Sequence, residues 1–570
     1  MKKLINEPLS AVDDFLSSLV AASPQLALLD RHRVILRSDI EEFRLSGRVA
    51  LVCGGGSGHE PAHAGFVGEG MLTAAVCGDV FTSPPTEAVL AAIRAVAGPP
   101  GVLLIIKNYT GDRLNFKLAA ETARAEGIAV ESVIVADDVA LAKSTENAGR
   151  RGIAGTILVQ KIAGAAAAAG KPLAEVAALA RAVADGVGTM GVALSACTVP
   201  AVGKPNFLLA DDEMEFGLGI HGEPGVERAS IGTAAEIVER LIATIVDDRR
   251  LKRGTPVAVL VNNLGATPPM EITIVAGEAL RALAGRGIAV KRLWSGTFLS
   301  ALDMAGISIS ILPLEGDCER WLDADTAAAA WPGGGSMERL FSASVSAPLP
   351  VATVSGPGGP SPLFMSGLVA AMQALIGAEE ALTDLDRLSG DGDLGANLAR
   401  GAQAVLDRAA MLGALSPSAA LREVSTIFGG SAGGTSGALY AAGLMRASRA
   451  LEEGGETPDW RTALSQAAAT ISDVGDARVG DRTMLDALLP AAEASSGCRT
   501  GESAAEVLRV AVQAAAEGAS ATAGMTSRRG RSSYLGDRVV GNQDPGAAAV
   551  VIWLAAIEAA LKGHASKDRV

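Results

Sequence analysis

The stretch RVALVCGGGSG, residues 48–58, joins a short apolar run to three consecutive glycines. The apolar run predicts a buried strand, because it is short and is bounded by glycine. The glycines predict a turn at which a small ligand can lie against backbone N–H groups, since no side chain stands in the way. The pattern therefore indicates a strand that leads into a binding loop.

Similar runs follow along the first half of the chain and alternate with Ala-rich helical stretches. They are GVLLIIKNY at 101–109, IAVESVIVADD at 128–138, TPVAVLVNNLG at 255–265 and GIAVKRLWSGT at 287–297. Strands that alternate with helices predict an α/β domain with a largely parallel sheet. We expect this domain to occupy residues 1–340, as two α/β subdomains divided near residues 185–195. Ligands of such sheets bind beyond the carboxyl ends of the strands, where the polar motifs of this chain fall.

The composition changes in the middle of the chain. The stretch FSASVSAPLPVATVSGPGGPSP, residues 341–362, is rich in Ser, Pro and Gly and has no charged residue, which predicts a linker. Residues 363–570 show Ala- and Leu-rich helical periodicity interrupted by Gly-rich loops. This pattern predicts a separate, all-helical domain.

Charge and cysteine usage exclude several classes of partner. The 570-residue chain has a net charge of −14 and no Lys/Arg-rich run, which argues against a nucleic-acid partner. Its apolar runs fall short of the roughly 20 residues of a membrane span, and its first ten residues lack the apolar segment of a signal peptide. The five cysteines form no CxxC pair, as is common in a reducing compartment. We therefore expect a soluble, cytoplasmic protein without a membrane partner.

Three motifs of the first half carry candidate site residues. They are CGGGSGHEPAHAG at 53–65, KNYTGD at 107–112 and GLGIHGEPG at 217–225. Asp112, at the edge of the predicted sheet, can act as a base on a hydroxyl, and His221 in its glycine frame can attack a carbonyl carbon. The alternatives are structural. His59 and His221 also fit surface turns, and Asp112 also fits the N-cap of a helix that starts near Leu114.

The helical half contains a cluster of carboxylates in LDRLSGDGDLGAN, residues 385–397. Asp386, Asp391 and Asp393 converge across a Gly-rich bend and suit Mg²⁺, which takes few carboxylates and keeps positions for phosphate oxygens. The alternative is a solvated acidic loop. The flanking glycines favour the metal site.

Three further loops of the helical half are rich in Gly, Ser and Thr. They are GGSAGGTSGAL at 429–439, VGDRTMLDALLP at 479–490 and GRSSYLGDRVVGNQDPGA at 530–547. Such loops bind phosphate where they lead into helix N-termini, through free N–H groups and the helix dipole. The sequence has neither the P-loop motif nor the kinase glycine loop, so that any nucleotide site follows another design.

Taken together, these motifs resemble the ATP-dependent dihydroxyacetone kinase family, in the family's order and over nearly the whole chain. The resemblance implies a short-chain ketose substrate that forms a hemiaminal on His221 through an imidazole nitrogen. It further implies that Asp112 is the base on the hydroxyl that attacks the γ-phosphate, with His59 assisting proton movement. The implied substrate-binding residues are Gly56, Ser57, Gly58, His59, Lys107, Asp112 and His221.

For the helical half, the resemblance implies an eight-helix antiparallel barrel that binds ATP and two Mg²⁺ ions through the three aspartates. The implied nucleotide-binding residues are Leu394, Gly395, Ala396, Asn397, Thr435, Ser436, Gly475, Thr483, Met484, Arg531, Asp544, Pro545 and Gly546. No phosphocarrier domain follows this half, so we expect ATP rather than a phosphotransferase-system donor. The family also implies a domain-swapped homodimer.

Several other functions remain open from the sequence. Dihydroxyacetone is the leading substrate, with either erythrulose enantiomer or glyceraldehyde as alternatives within the same chemistry. A lyase that forms cyclic FMN from FAD would use the helical domain and a divalent metal without His221. A ketose-sensing regulatory protein would need His221 but not the intact aspartate set.

Overall fold

The computed structural model describes residues 2–141, 149–205, 207–337, 359–389, 392–455, 459–499, 502–529 and 539–567. The chain divides into two compact units, Met1–Ser344 and Val345–Val570. The first unit contains two six-stranded sheets with helices, and the second contains helices throughout its described residues. The predicted fold class, an α/β half followed by an all-helical half, is confirmed. Most of the predicted linker at 341–362 lies outside the described residues, and its last residue, Pro362, begins a helix.

The first sheet contains the opening motif in its centre. Its strands are β1 (Leu26–Leu28), β2 (Val34–Arg37), β3 (Ala50–Ser57), β4 (Ala74–Val80), β5 (Val102–Lys107) and β6 (Val130–Val135). They lie in the order β1-β2-β4-β3-β5-β6, and the pairs β4–β3, β3–β5 and β5–β6 are parallel. Helices cover both faces, so that Val52 and Leu104 enter one apolar core and Leu51 and Leu103 the other. This double burial explains why the strands read as continuous apolar runs.

The second sheet differs from the predicted parallel arrangement. Its strands are β7 (Gly188–Ala193), β8 (Glu213–Phe216), β9 (Glu227–Ser230), β10 (Pro256–Asn263), β11 (Ala289–Gly296) and β12 (Gly306–Pro313). Their order is β11-β10-β12-β7-β8-β9, and of these pairs β10–β11 is parallel while the others are antiparallel. The expectation of a largely parallel sheet is therefore wrong for this half of the unit. A parallel pair requires a helical crossover, and β11 is instead followed by a loop that returns the chain as β12.

Nine α-helices of the described residues accompany these sheets. They are α1 (Ala11–Ala22), α2 (Ile40–Leu45), α3 (Thr86–Val96), α4 (Thr110–Ala125), α5 (Thr156–Ala168), α6 (Leu173–Gly186), α7 (Ala234–Arg249), α8 (Pro269–Gly285) and α9 (Cys318–Asp323). The helix α8 connects the parallel pair of the second sheet. The helices α3 and α4 pack together on the first sheet, near the carboxyl end of β5.

The second unit is a ring of helices. Its helices are α10 (Pro362–Gly377), α11 (Glu379–Ser389), α12 (Leu394–Leu406), α13 (Ala409–Leu412), α14 (Pro417–Ser431), α15 (Gly434–Glu453), α16 (Trp460–Gly475), α17 (Leu485–Ser496), α18 (Ala504–Ala521) and α19 (Pro545–Lys567). Eight of them contact one another in the cyclic order α10, α12, α14, α15, α16, α17, α18, α19 and back to α10. This closed ring supports the eight-helix barrel, whose helix directions stay a prediction.

The ring encloses an apolar cavity of about 750 Å³. The cavity is lined by residues of α10 and of α14 to α19. Residues 545–563 of α19 have the length and apolar composition of a membrane span, which the sequence analysis did not expect. The same helix packs against α10 and α18, and its Trp553 and Leu554 line the cavity. It therefore packs as one helix of the ring, with part of its surface on the cavity.

Candidate active site

The first candidate site lies at the carboxyl ends of the parallel strands. The strand β3 runs through its glycines to Ser57, whereas the sequence predicted a turn there. The reason is the close pairing with β4, since a side chain at Gly54 would collide with the carbonyl oxygen of Val76. The glycines thus allow neighbouring backbones and side chains to come close to β3, and they do not form a turn.

Lys107 and Asp112 meet above the bare backbone of Gly55. A Cβ atom at Gly55 would lie 2.8 Å from Lys107 Nζ and 3.8 Å from Asp112 Oδ2. Lys107 is the last residue of β5, and both side chains are buried. Asp112 lies in the first turn of α4, which begins at Thr110 rather than near Leu114. The N-cap alternative is therefore wrong, because Asp112 stands within the helix.

His59 completes one wall of this site. Its Nδ1 lies 2.8 Å from the carbonyl oxygen of Ser300, which accepts only, so that Nδ1 carries the proton. Its Nε2 is buried without a hydrogen-bond partner, as is Oδ1 of Asp112. Burial, with Lys107 and His221 nearby, holds the pKa of His59 well below its ordinary value. The imidazole of His59 is therefore neutral, and its Nε2 has a lone pair. This nitrogen and Oδ1 of Asp112 can both accept hydrogen bonds from a ligand.

His221 lies among three other rings, in the loop that follows β8. Its ring centroid is 4.9 Å from that of His59, 5.2 Å from Phe81 and 4.8 Å from Tyr109. The side chain keeps 21% of its surface exposed, so that a small molecule can reach it. The first unit thus brings all three predicted catalytic side chains, His221, Asp112 and His59, to one sheet edge.

Glu223 contacts His221 directly, although it is not among the residues predicted from the sequence. Its Oε1 lies 2.8 Å from His221 Nδ1, and its Oε2 accepts the backbone N–H of His221 at 3.0 Å. Although burial acts in the opposite direction, the hydrogen bond and charge of His221 lower the pKa of Glu223 to about 2. The carboxylate is therefore ionised at neutral pH. A carboxylate two residues after a histidine in a glycine-rich loop was the signal that could have identified it.

The predicted residues Gly56, Ser57 and Gly58 lie at the end of β3, directly before His59 in the chain. The Ser57 hydroxyl donates to the carbonyl oxygen of Gly78 at 2.8 Å, which fixes its side chain. Gly58 has a φ of +98°, and a side chain there would approach the Phe81 ring within 2.9 Å. Only glycine combines this backbone conformation with that proximity.

The predicted nucleotide-binding residues lie at helix ends in the second unit. Leu394, Gly395, Ala396 and Asn397 form the first turn of α12, Thr435 and Ser436 lie in the first turn of α15, and Gly475 ends α16. Thr483 and Met484 precede α17, and Asp544, Pro545 and Gly546 surround the start of α19. Four helix N-termini are therefore involved, each of which carries a partial positive charge.

Close approaches between glycines and side chains join these helix ends. A Cβ atom at Gly433 would lie 3.0 Å from Asn397 Oδ1, which connects the start of α15 to that of α12. A Cβ atom at Gly546 would lie 3.4 Å from Met484, which connects the start of α19 to that of α17. The predicted nucleotide-binding segments of the second unit therefore lie close together in two pairs.

Asp386 and Asp393 meet at the N-terminus of α12. Oδ2 of Asp386 accepts the backbone N–H groups of Asp393 at 2.9 Å and Leu394 at 3.1 Å. Asp391, the third predicted ligand, and Arg531 lie outside the described residues. Within the described part of the chain, no group of three or more His, Cys, Asp or Glu is placed to hold a metal ion. The two described carboxylates still fit Mg²⁺ chemically, because both supply hard oxygens beside a helix N-terminus that suits phosphate.

Arg482 is a second residue to which sequence reasoning gave no role. Its side chain is fully buried, and its Nη2 donates to the carbonyl oxygens of Val539 at 3.3 Å and Asn542 at 3.0 Å. Nη1 lies 3.9 Å from Asp544 Oδ2. Arg482 thus ties the segment before α19 to the loop before α17. The sequence did not indicate this connecting role, because an arginine in a loop is usually exposed.

Comparisons with known proteins agree with this division. Models of the Dak1 domain and the DAK2 domain match residues 17–330 and 389–559. The chain is 44% identical over 572 residues to a protein of Homo sapiens named triokinase/FMN cyclase, covering 98% of each. It is 48% identical over 324 residues to the dihydroxyacetone-binding subunit of a PTS-dependent dihydroxyacetone kinase of Listeria innocua, covering 57% of this chain and 97% of that subunit.

A solved structure resembles the whole chain. It is the dihydroxyacetone kinase from C. freundii in complex with AMP-PNP and Mg²⁺, with a TM-score of 0.64 and 34% identity, covering 98% of this chain and 99% of that one. The chain therefore belongs to the dihydroxyacetone kinase family, as its motifs predicted, and carries the Dak1 and DAK2 domains in one polypeptide.

Proposed function

We propose that the protein phosphorylates a short-chain ketose with ATP, and that dihydroxyacetone is the preferred substrate. The observation that carries this proposal is the set of unsatisfied polar atoms beside His221. His59 Nε2 and Asp112 Oδ1 are both buried without partners, and they lie at the sheet edge that also holds Lys107. A small polyhydroxy ligand would satisfy both atoms.

His221 is the residue that selects a carbonyl compound. The lone pair of its Nε2 forms a bond to the ketone carbon while the C=O π electrons move to oxygen, which then takes a proton. The resulting hemiaminal holds the substrate covalently. An alcohol carbon cannot accept the nitrogen, so that glycerol is rejected.

Asp112 prepares the attacking hydroxyl. Its Oδ1 accepts the hydroxyl proton as the oxygen forms its bond to the γ-phosphorus, and ADP leaves. Neutral His59 offers Nε2 as a second acceptor for that proton, while Lys107 supplies positive charge against the phosphate. Positioning and charge neutralisation, rather than covalent chemistry at phosphorus, account for such transfers.

The second unit would hold ATP and Mg²⁺. Asp386 and Asp393, with Asp391, would bind two Mg²⁺ ions, which would supply positive charge against the phosphates. The helix starts at Asn397, Ser436 and Thr483 would receive the phosphates. The C. freundii kinase, whose structure contains AMP-PNP and Mg²⁺, supports this assignment.

The direct test is ADP release from Mg-ATP with dihydroxyacetone, D-erythrulose, L-erythrulose, D-glyceraldehyde and glycerol. We expect preference for dihydroxyacetone and loss of turnover in His221→Ala. The matched control is His32→Ala, which removes a partly buried histidine from the bend between β1 and β2. Preference for one erythrulose would keep the mechanism and change the substrate. No turnover with any carbonyl compound would refute the kinase.

A second activity is cyclic FMN formation from FAD, because the human relative is named triokinase/FMN cyclase. This activity would use the second unit and a divalent metal without His221. FAD cleavage that persists in His221→Ala would establish it. Loss of FAD cleavage in that variant would exclude it as a separate site.

We further propose a domain-swapped homodimer in the cytoplasm. A transfer between two sites carried by separate units requires that they meet, and the family resemblance implies that they do so across subunits. Molecular mass in solution tests the dimer. Mixing a His221→Ala chain with an Asp386→Asn chain tests the swap, because activity then returns only if sites pair between chains.

A further inference from the structure

The loop that carries His221 is attached to a buried ionic network. Behind the imidazole stands the Glu223 carboxylate, which accepts from both the ring and the backbone of His221. Close to Glu223 lies Arg151, whose Nε and Nη2 contact Asp138 at 2.7 and 2.6 Å. Arg151 Nη2 also donates to the carbonyl oxygen of Gly217 at 2.6 Å. Arg151 thus ties the start of the His221 loop, at Gly217, to Asp138 beyond the end of β6.

Gly219 allows this arrangement. A Cβ atom there would collide with Glu223 Oε2 and lie 2.6 Å from Arg151 Nη1. The carboxylate and the guanidinium therefore both occupy space that any other residue at 219 would fill. This is the physical reason for a glycine two residues before the histidine.

The Glu223 contact fixes the proton on the ring. An ionised carboxylate has no hydrogen to donate, so that the nitrogen facing it at 2.8 Å, Nδ1, must carry the proton. With one proton on Nδ1, the reacting form of the ring has its lone pair on Nε2. A ring with the opposite tautomer would present an N–H to the ketone carbon and could not attack it.

We propose that Glu223 is the positioning residue of the nucleophile and fixes His221 in the tautomer whose Nε2 bonds to the ketone. This inference rests on the proposed function. When Nε2 bonds to carbon and the carbonyl oxygen takes a proton, the ring retains its Nδ1 proton and becomes cationic. The Glu223 carboxylate then faces a positive ring, which stabilises the adduct relative to free ketose.

The test uses the full-length protein without ATP, so that binding is separated from phosphoryl transfer. Dihydroxyacetone labelled with ¹³C at the ketone carbon reports the adduct, because that carbon changes from a ketone to a tetrahedral resonance. Histidine labelled with ¹⁵N reports the tautomer, and the chain has only five histidines to assign. The variants are Glu223→Gln, which keeps the shape, and Glu223→Asp, which keeps the charge.

We expect Glu223→Gln to weaken adduct formation about tenfold or more, which is typical of losing a charge-assisted hydrogen bond. Its ¹⁵N spectrum should show mixed tautomers of His221, since an amide can donate as well as accept. Glu223→Asp should recover part of the adduct. The control Glu227→Gln removes an exposed carboxylate that pairs with Arg240 and should behave as the parent.

Two results overturn the inference alone. One is a Glu223→Gln variant that keeps the parent's tautomer and adduct affinity. The other is equal loss in both variants with a lowered melting temperature and no change of tautomer, which would assign Glu223 to loop structure. A parent that forms no adduct overturns the proposed function instead, and the inference with it.

Discussion

The substitution Gly55→Ala tests whether the absence of a side chain at residue 55 allows Lys107 Nζ to occupy its position in the site. A methyl group at residue 55 would lie 2.8 Å from Lys107 Nζ and 3.1 Å from its Cε, whereas ordinary contacts begin near 3.4 Å. The amine must therefore move by about 0.6 Å, which the far end of a flexible side chain can do. A misplacement of about 1 Å in an active site can cost about a hundredfold. We therefore expect kcat/KM for the ketose to fall about tenfold.

The assay is steady-state phosphorylation together with thermal unfolding. Because the collision involves a flexible side chain, the melting temperature should change little. The matched control Gly285→Ala adds a methyl at the end of α8, where nothing lies within 4 Å. In Gly54→Ala the methyl would instead collide with the backbone carbonyl oxygen of Val76. We therefore expect Gly54→Ala to lower the melting temperature, unlike Gly55→Ala. A Gly55→Ala enzyme with the parent's kcat/KM would refute the placement of Lys107 at the reacting centre.

Three further predictions concern the second unit. Arg482→Met should raise the KM for ATP about tenfold, with Arg482→Lys intermediate, because two hydrogen bonds that hold the segment before α19 are lost; an unchanged KM would contradict this. Burial raises the pKa of Asp544 from 3.8 to about 6, so its contribution to stability is present below pH 4 and is lost as the pH rises through 6. The melting temperature of the parent relative to Asp544→Asn should therefore fall between pH 4 and pH 7, and a flat difference would refute the burial argument. Chelation of Mg²⁺ should abolish turnover while the ketose adduct persists in the ¹³C spectrum; loss of the adduct would show that metal and ketose share one site.

The local sequence sufficed to predict five of the strands. Apolar runs of strand length predicted β3, β5, β6, β10 and β11 at their observed positions. The polar motif after β5 correctly predicted that Lys107 would stand at the sheet edge. These features depend on neighbouring residues alone, since side-chain periodicity and strand ends are local properties.

The relative direction of the strands in the second sheet and the role of the glycines were not predictable from local sequence. The second sheet is mainly antiparallel because β11 returns through a loop, and local periodicity does not encode which strand a run pairs with. Gly55 looked like part of a turn, yet its lack of a side chain serves the approach of Lys107, which lies far along the sequence.

By itself, the sequence determined the family and predicted His221, His59 and Asp112 as one chemical set. Only the tertiary structure decided that Glu223 faces Nδ1 of His221, that Arg151 holds the same loop at Gly217, and that Arg482 ties two helix starts together. The physical reason is that catalytic residue types are marked by local motifs. Their orientation depends on hydrogen bonds and close approaches between distant segments, which exist only once the chain has folded.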